Sequence, residues 1–238
     1  MKIALLGYGR MGKEIEKIAL ERGHEIALKI DVDNQNDLSV ANLKTCDVAI
    51  EFTIPKSAIS NYFACFEAGI PVVSGTTGWL DRKDEVYAKC IEENGTFFYG
   101  SNFSVGVNLF FELNKKLAEL MSPREEYGVE MTEVHHTQKL DAPSGTAISL
   151  AEDILEILPG KNKWVNDKIA ANDEIKIKSE RVGQVPGIHT IRYESDVDFI
   201  EITHSAKSRV GFAFGAVLAA EFCRGNKGIL TMKDLLKI

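Results

Sequence analysis

The feature that most constrains the fold is a glycine-rich turn at the start of the chain, in the sequence Gly7-Tyr-Gly-Arg-Met-Gly12. A short apolar run, residues 3–6, precedes it, and apolar residues at helical spacing follow it until Gly23. This order predicts a strand, a tight turn and a helix. The next strand-like run, residues 25–30, ends at Asp31, and an acidic residue about 20 positions beyond the last glycine completes a dinucleotide-binding fingerprint.

The three glycines of this fingerprint have separate tasks. Gly7 makes the tight turn, Gly9 lets the backbone approach a pyrophosphate, and Gly12 lets the helix pack closely on the sheet. We therefore predict a dinucleotide as cofactor. The residues predicted to bind it in this part of the chain are Gly7, Gly9, Arg10, Met11, Gly12 and Asp31.

Strand-like and helix-like segments then alternate up to about residue 100. Residues 48–53, 70–73 and 96–99 have the pattern of strands, and residues 57–68 and 81–93 that of helices. Such alternation predicts a parallel sheet with helices on both faces, whose ligands bind beyond the carboxyl ends of the strands. Three polar loops fall at that edge and predict a cofactor pocket lined by Phe52, Thr53, Gly75, Thr76, Thr77, Ser101, Asn102 and Phe103.

The pattern changes after about residue 105. A helix over residues 107–120 and a histidine-bearing segment precede three alternating runs, 175–178, 188–193 and 199–204, which indicate antiparallel strands joined by turns. From about Arg209, which is included among the predicted cofactor-binding residues, an apolar helix returns towards the first domain.

The predicted fold is therefore α/β. An N-terminal Rossmann-type, doubly wound parallel sheet (residues 1–105 with 209–238) binds the dinucleotide. A second α+β domain with an open mixed sheet (residues 106–208) binds substrate and carries the catalytic groups.

Reactive side chains are concentrated in residues 133–147, the segment EVHHTQKLDAPSGTA. Val129, Met131 and Val134 predict a strand that leads into this segment. The run from Asp141 predicts the opening of a helix that Ser144 can cap. The first backbone amides of a helix lack intrahelical partners, Gly145 allows a close approach, and Thr146 adds a hydroxyl, so this turn can hold a substrate carboxylate. Lys139 would supply a positive charge nearby.

Composition and charge argue against several other classes of protein. The net charge of -7 and the absence of a Lys and Arg run interleaved with aromatic residues argue against a nucleic-acid partner. The apolar run 210–220 is too short to span a bilayer, and no targeting signal is visible. Four separated cysteines without a Cys-x-x-Cys motif indicate reduced thiols and a cytoplasmic protein.

A metal centre is not expected. Neighbouring residues of an extended chain project to opposite sides, so at most one of His135 and His136 faces a given pocket. The other histidines, His24, His189 and His204, are scattered along the chain, and no cluster of histidine and cysteine lies near His135.

Four segments together, residues 7–12, 75–78, 101–108 and 133–147, resemble the dihydrodipicolinate reductase family, also called 4-hydroxy-tetrahydrodipicolinate reductases. The run His-His-x-x-Lys-x-Asp-Ala-Pro-Ser-Gly-Thr is the most specific of them. The resemblance implies reduction of 4-hydroxy-tetrahydrodipicolinate to tetrahydrodipicolinate with NADH or NADPH, in lysine and diaminopimelate biosynthesis. It also implies a homotetramer assembled through the sheets of the second domain.

The resemblance further implies roles for single residues. His135 would be the catalytic acid or base and Lys139 the proton donor, while His136, Lys139, Gly145 and Thr146 would hold the carboxylates of the substrate. Gly75, Thr77 and residues 101–103 would border the nicotinamide.

The chain departs from the family pattern in its glycine loop and after the ribose-binding acid. The family loop is commonly one residue longer, Gly-x-x-Gly-Arg-Met-Gly. An arginine often follows the acidic residue, whereas Val32 and Asp33 follow Asp31 here. Because a 2'-phosphate would meet like charge at this point, we expect a preference for NADH.

Two other functions fit part of the pattern. One is a different two-domain Rossmann dehydrogenase acting on an amino or semialdehyde acid, against which the Asp-Ala-Pro-Ser-Gly-Thr turn counts. The other is a non-catalytic module that senses dinucleotides, which would leave the pairing of His135 with Lys139 unexplained.

Overall fold

The structure, a computed structural model, describes residues 1–208 and 210–238. Two compact units make up the described chain. The first contains residues 1–105 together with residues 210–238, and the second contains residues 106–208. In the described residues, no helix combines the length and the apolar character needed to cross a membrane.

The first unit is built on a six-stranded parallel sheet, as the alternating pattern predicts. Its first part consists of β1 (Lys2–Leu6), α1 (Arg10–Glu21), β2 (Glu25–Ile30), α2 (Val40–Leu43), β3 (Val48–Glu51), α3 (Pro55–Ala68), β4 (Val72–Ser74), α4 (Lys83–Glu92) and β5 (Thr96–Tyr99), with a 3-10 segment over Val32–Asp37 and another over Leu80–Arg82.

Both faces of this sheet are buried, which explains why its strands are apolar throughout. In β1, Ile3 and Leu5 enter one apolar core while Ala4 and Leu6 enter another on the opposite face, because successive side chains of a strand alternate. Helices therefore pack on both sides of the sheet. The predicted Rossmann-type architecture is confirmed.

The second unit has a five-stranded mixed sheet. It consists of α5 (Val105–Met121), β6 (Gly128–His135), α6 (Gly145–Ile157), β7 (Lys163–Asn166), β8 (Glu174–Arg181), β9 (Ile188–Glu194) and β10 (Phe199–Ser205). The strand order is β10-β9-β6-β8-β7, with antiparallel pairs on one side of β6 and parallel pairs on the other. Side chains of α5 and α6, among them Leu117, Leu150 and Ile154, form its core with Ile175 and Ile191.

The expectation of three consecutive antiparallel strands is correct only for the last two. β9 and β10 form an antiparallel hairpin, but β8 and β9 are not neighbours, because β6 lies between them and pairs with both. The segment that carries His135 is therefore the central strand of this sheet.

The chain then returns to the first unit through α7 (Val210–Cys223), β11 (Gly228–Leu230) and α8 (Met232–Leu236). Ala213, Ala216, Val217 and Ala220 of α7 lie in the apolar core that also contains Ile3 and Leu5. The returning helix is thus an integral part of the first unit. β11 extends the parallel sheet beside β5, so that the strand order is β11-β5-β4-β3-β1-β2.

Candidate active site

The glycine-rich turn of the first unit is shaped by two close backbone approaches. Gly7 has a φ of 93°, and a Cβ at this position would lie 2.1 Å from the carbonyl oxygen of Phe52. A Cβ at Gly12 would lie 2.3 Å from the carbonyl oxygen of Gly7. Any larger residue would push α1 and β3 away from the turn, so both positions need glycine.

The start of α1 has the character of an anion-binding site. Gly9 is its N-cap, no side chain caps the helix, and its first turn carries no acidic residue. Gly9 is exposed and no atom lies within 4 Å of the place where its Cβ would be. Backbone amides at such an end can bind a phosphate, so these residues fit the pyrophosphate of a dinucleotide. Arg10 is exposed beside them, whereas Met11 packs against the apolar core.

Asp31 follows β2 directly and is half-buried. It is the N-cap of the 3-10 segment, where its carboxylate accepts a hydrogen bond of 2.9 Å from the amide of Val32. Its own amide donates to the side chain of Asn34 at 2.8 Å. These contacts fix the position of the carboxylate at the end of the strand, where a ribose would be recognised.

Three loops at the carboxyl ends of β3, β4 and β5 come together, as predicted. A Cβ at Gly75 would lie 2.1 Å from the ring of Phe52, and the rings of Phe52 and Phe103 are centred 5.7 Å apart. The amide of Thr53 donates to the hydroxyl of Thr76 at 2.8 Å. These contacts connect the three loops to one another at this edge of the sheet.

The residues predicted to line the pocket differ in their exposure to solvent. Thr77 and Ser101 are exposed and Asn102 is half-buried. Thr76 and Phe103 are buried, with exposed fractions of 5% and 2%, so their side chains stabilise the loops rather than face a ligand. Arg209, which was also predicted to bind the cofactor, lies outside the described residues.

In the second unit, His135 is the last residue of β6 and is buried. Its Nδ1 lies 2.5 Å from a carboxylate oxygen of Glu133, at ion-pair distance although the two atoms do not form an aligned hydrogen bond. Residues two apart on a strand share a face, which brings these side chains together. Sequence reasoning missed Glu133, although its spacing from His135 carried the signal.

Glu133 is fully buried and holds three groups at once. Its second oxygen accepts from the guanidinium of Arg181 at 3.0 Å and from the amide of Ser144 at 3.3 Å. Burial raises the pKa of Glu133, but contacts with His135, Ser179 and Arg181 outweigh it and bring the pKa to about 2. The carboxylate is therefore ionised at neutral pH, and it favours a proton on Nδ1 of His135.

His189 lies beside this pair, because antiparallel pairing of β9 with β6 places it directly across from Glu133. Its ring is centred 5.1 Å from that of His135, and its Nε2 is 3.1 Å from the hydroxyl of Ser144. Burial, followed by the charge of His135, lowers the pKa of His189 to about 4, so its ring is neutral at pH 7.

The expectation that His24, His189 and His204 all stay away from His135 is wrong for His189. Glu133, His135 and His189 offer ligand atoms that lie within 4.8 Å of one another, a grouping that can hold a metal ion. Arg181 already occupies one oxygen of Glu133, and Ser144 occupies Nε2 of His189. An ion at this place would meet the positive charge of Arg181.

The turn after β6 leads into α6 as predicted. Ser144 is the N-cap, and its hydroxyl accepts from the amide of Ala147 at 3.2 Å. Gly145 is exposed, with no atom within 4 Å of its Cβ position, and Thr146 is half-buried. The start of α6 is therefore open to an anion, and Ser144 connects it to Glu133 and His189.

Lys139 and His136 belong to the same turn, where the amide of Lys139 donates to the carbonyl of His136 at 3.1 Å. The amine of Lys139 lies 2.8 Å from a carboxylate oxygen of Asp141, which is exposed. The positive charge expected at this place is thus paired with an acidic neighbour that solvent can reach. His136 is half-buried.

Comparisons with known proteins agree with this geometry over both units. The family model described as dihydrodipicolinate reductase, N-terminus, matches residues 1–103, and the C-terminus model matches residues 106–236. The chain belongs to the dihydrodipicolinate reductase family.

Individual members of the dihydrodipicolinate reductase family match along their whole length. The 4-hydroxy-tetrahydrodipicolinate reductase of Christiangramia forsetii is 54% identical, covering 99% of this chain and 98% of that protein. The enzyme of the same name from Methanococcoides burtonii is 38% identical, covering 96% and 95%.

Solved structures show the same fold. A dipicolinate-bound dihydrodipicolinate reductase from Paenisporosarcina sp. TG-14 has a TM-score of 0.77 at 23% identity, covering 97% of each chain. An engineered D-amino acid dehydrogenase bound to NADP+ has a TM-score of 0.53 at 13% identity, covering 97% of this chain and 92% of the other. The architecture alone thus occurs in other dehydrogenases, and the family match is what separates this chain from them.

Proposed function

We propose that this chain reduces 4-hydroxy-tetrahydrodipicolinate to tetrahydrodipicolinate with NADH or NADPH, in lysine and diaminopimelate biosynthesis. The observation that carries this proposal is the match of both units to one reductase family, with a relative 54% identical over nearly the whole chain. The second unit supports it with an imidazole held by a buried carboxylate next to an open helix start.

The first unit would hold the coenzyme, which supplies the hydride when bound. The uncapped start of α1 would receive the pyrophosphate and Asp31 the adenosine ribose. The exposed residues Thr77 and Ser101, with the backbone around Gly75, would border the nicotinamide. A dinucleotide-sensing module would not need the second unit's paired acid and base.

His135 would handle the proton. Loss of water from the 4-hydroxy substrate gives a conjugated cyclic imine. Hydride addition to this imine leaves electron density that a proton must neutralise, and a positioned acid is needed for that step. Because Glu133 faces Nδ1, the atom of His135 left to deliver a proton is Nε2. A Cβ at Gly187 would lie 3.0 Å from this Nε2, so the glycine keeps the approach to it open.

The carboxylates of the substrate would bind to the turn between β6 and α6. Gly145 and Thr146 are the first two residues of α6, where the backbone amides favour negative charge, and Thr146 adds a hydroxyl. Lys139 would exchange its contact with Asp141 for a substrate carboxylate, and from there it can also donate a proton. His136, in the same turn, would complete this set.

The direct test follows the oxidation of NADH and of NADPH, by loss of absorbance, with the freshly generated product of dihydrodipicolinate synthase as substrate. We expect substrate-dependent oxidation. A folded protein that oxidises neither coenzyme with this substrate, yet acts on an amino or semialdehyde acid, would contradict the proposal.

We further propose that NADH is preferred. A 2'-phosphate would meet the carboxylate of Asp31 and the exposed Asp33. Lys29 could offset that charge, but its amine lies 2.5 Å from a carboxylate oxygen of Glu16 and also packs on the ring of Tyr8. Without screening, the repulsion between two like charges costs about 4 kcal/mol at ~4 Å and an effective dielectric of ~20. Solvent reduces this cost to about 1 or 2 kcal/mol, which corresponds to roughly a tenfold difference in kcat/KM between NADH and NADPH.

The same assay tests this preference. The ratio of kcat/KM for NADH to that for NADPH should fall towards one in Asp31→Ala, and the wild-type ratio should fall at high salt. A wild-type preference for NADPH, or a ratio that Asp31→Ala leaves unchanged, would refute the assignment of Asp31.

We also propose a homotetramer assembled through the sheet of the second unit. β10 is an edge strand of that sheet, and it exposes Phe199 and Ile200. Light scattering should give about four times the chain mass of 26.4 kDa. A concentration-independent mass of one chain would contradict this assembly.

A further inference from the structure

A second buried carboxylate, in the first unit, takes no part in the chemistry described so far. Glu51 is the last residue of β3, a strand in the interior of the parallel sheet, and its exposed fraction is 0%. The preceding residues Val48, Ala49 and Ile50 are apolar and equally buried. A carboxylate in such surroundings loses its hydration, so an apolar residue would be the ordinary occupant of this position.

Hydroxyl groups and one backbone amide replace that hydration. One oxygen of Glu51 accepts from the amide of Thr53 at 3.2 Å, from the hydroxyl of Thr76 at 3.0 Å and from the hydroxyl of Thr53. The other oxygen accepts from the hydroxyl of Ser74 at 2.7 Å. All of these groups can donate to the oxygens of the Glu51 side chain.

Apart from Ser74, the last residue of β4, the donors come from two different loops. Thr53 lies in the connection from β3 to α3, and Thr76 lies in the connection from β4 to α4. Two more contacts reinforce the link, because the amide of Gly75 donates to the carbonyl of Glu51 at 3.0 Å and the indole of Trp79 donates to the carbonyl of Thr76 at 2.8 Å. Glu51 therefore binds the side chain of Thr76, and Trp79 binds its backbone.

We infer that Glu51 is a positioning residue for the nicotinamide half of the coenzyme, acting through Thr53 and Thr76 to fix the two loops that receive the ring. This inference rests on the proposed function, in which those loops border the nicotinamide. Glu51 itself is fully buried, so it would act through these loops and not by its own contact with a ligand. Its carboxylate sets the backbone shape of the loops before the ligand arrives.

The test compares two ligands on Glu51→Gln, a change that keeps size but places an N–H group among donors. NADH carries the nicotinamide, whereas ADP-ribose carries only the part that the glycine turn and Asp31 would bind. We expect the Kd of NADH, measured by quenching of tryptophan emission, to rise about tenfold, as for the loss of one charge-assisted contact at the site. The Kd of ADP-ribose, measured by calorimetry, should stay within about twofold.

Tyr62→Phe is the matched control. The hydroxyl of Tyr62 lies 2.7 Å from that of Ser74, so this variant removes a buried hydrogen bond of the same network without touching Thr53 or Thr76. It should lower the melting temperature and leave both ligand affinities unchanged. If Glu51→Gln does not fold, Thr76→Val takes its place, because it removes only the hydroxyl through which Glu51 holds the second loop. This variant should weaken the binding of NADH but not that of ADP-ribose.

The inference is overturned if Glu51→Gln binds NADH as tightly as wild type does, or if it binds NADH and ADP-ribose more weakly by the same factor. Glu51 would then have a role in stability alone. Failure of the proposed function has a different signature, because the wild-type chain would then oxidise neither NADH nor NADPH with the product of dihydrodipicolinate synthase, whatever the two Kd values are.

Discussion

The burial of His189 predicts that the protein loses stability in mild acid. His189 has an exposed fraction of 5%, and burial, followed by the charge of His135, lowers its pKa from 6.5 to about 4. In the unfolded chain the ring takes up a proton near pH 6.5, whereas in the fold it stays neutral until about pH 4. The unfolded state therefore binds more protons between these values. The stability that His189 contributes is complete above pH 6.5 and is lost as the pH falls towards 4.

The size of the loss follows from the shift in pKa. A difference of about 2.5 pKa units corresponds to about 3 kcal/mol, because each unit corresponds to 1.36 kcal/mol. A domain of ordinary stability has only about 5 to 15 kcal/mol in total, so the effect should be plain. Glu133 adds a second loss at lower pH, since its pKa of about 2 in the fold lies below its ordinary value of 4.5. That stability is present above pH 4.5 and is lost as the pH falls towards 2.

The assay is urea unfolding of wild type and His189→Gln at pH 7, 6, 5 and 4.5. The variant should be less stable than wild type at pH 7, because the contact with Ser144 is disturbed, and the difference should shrink as the pH falls. Tyr193→Phe changes another buried side chain on β9 that does not titrate in this range, and its difference from wild type should be the same at every pH. A difference for His189→Gln that stays constant from pH 7 to 4.5 would refute the reasoning.

Two further predictions concern the chemistry of the second unit. His135→Gln should lower kcat by about 10² to 10⁴ while KM changes much less, since a positioned acid or base contributes about that factor, and full activity in a folded variant would remove His135 from the mechanism. Planar pyridine-2,6-dicarboxylate should compete with the substrate, because it carries two carboxylates on a six-membered ring and the start of α6 can accept one. Thr146→Val should weaken this inhibition, and noncompetitive kinetics would argue against the placement.

The sequence predicted the elements whose pattern is local. The bounds of β2 and β5 were predicted correctly, since each is a short strand-like run between turn residues. The strand, turn and helix around Ser144 were also predicted, because the cap residue and the apolar spacing lie within a few positions of each other. The short elements α2, β7, β11 and α8 were missed, since three to five residues are too few to show a period.

Contacts that depend on register were not predictable in this way. The pairing of β9 with β6 places His189 opposite Glu133, and nothing near either residue in the sequence specifies that register. For the same reason the runs containing Ile175 and Ile191 were taken as neighbours, although β6 separates β8 from β9. The catalytic segment was therefore recognised before its surroundings could be described.

The two buried glutamates are charged residues at positions where the burial of the strand predicts an apolar side chain. Glu133 lies near the end of β6 and Glu51 at the end of β3, each fully buried where an apolar side chain is ordinary. Each holds a loop through donors: Glu133 through Ser144 and Arg181, and Glu51 through Thr53 and Thr76. An apolar replacement at such a position can be neutral or stabilising, so stability alone does not account for either carboxylate. A charged residue at a buried strand position, close to a polar loop, is thus a sequence feature that indicates the geometry of the site.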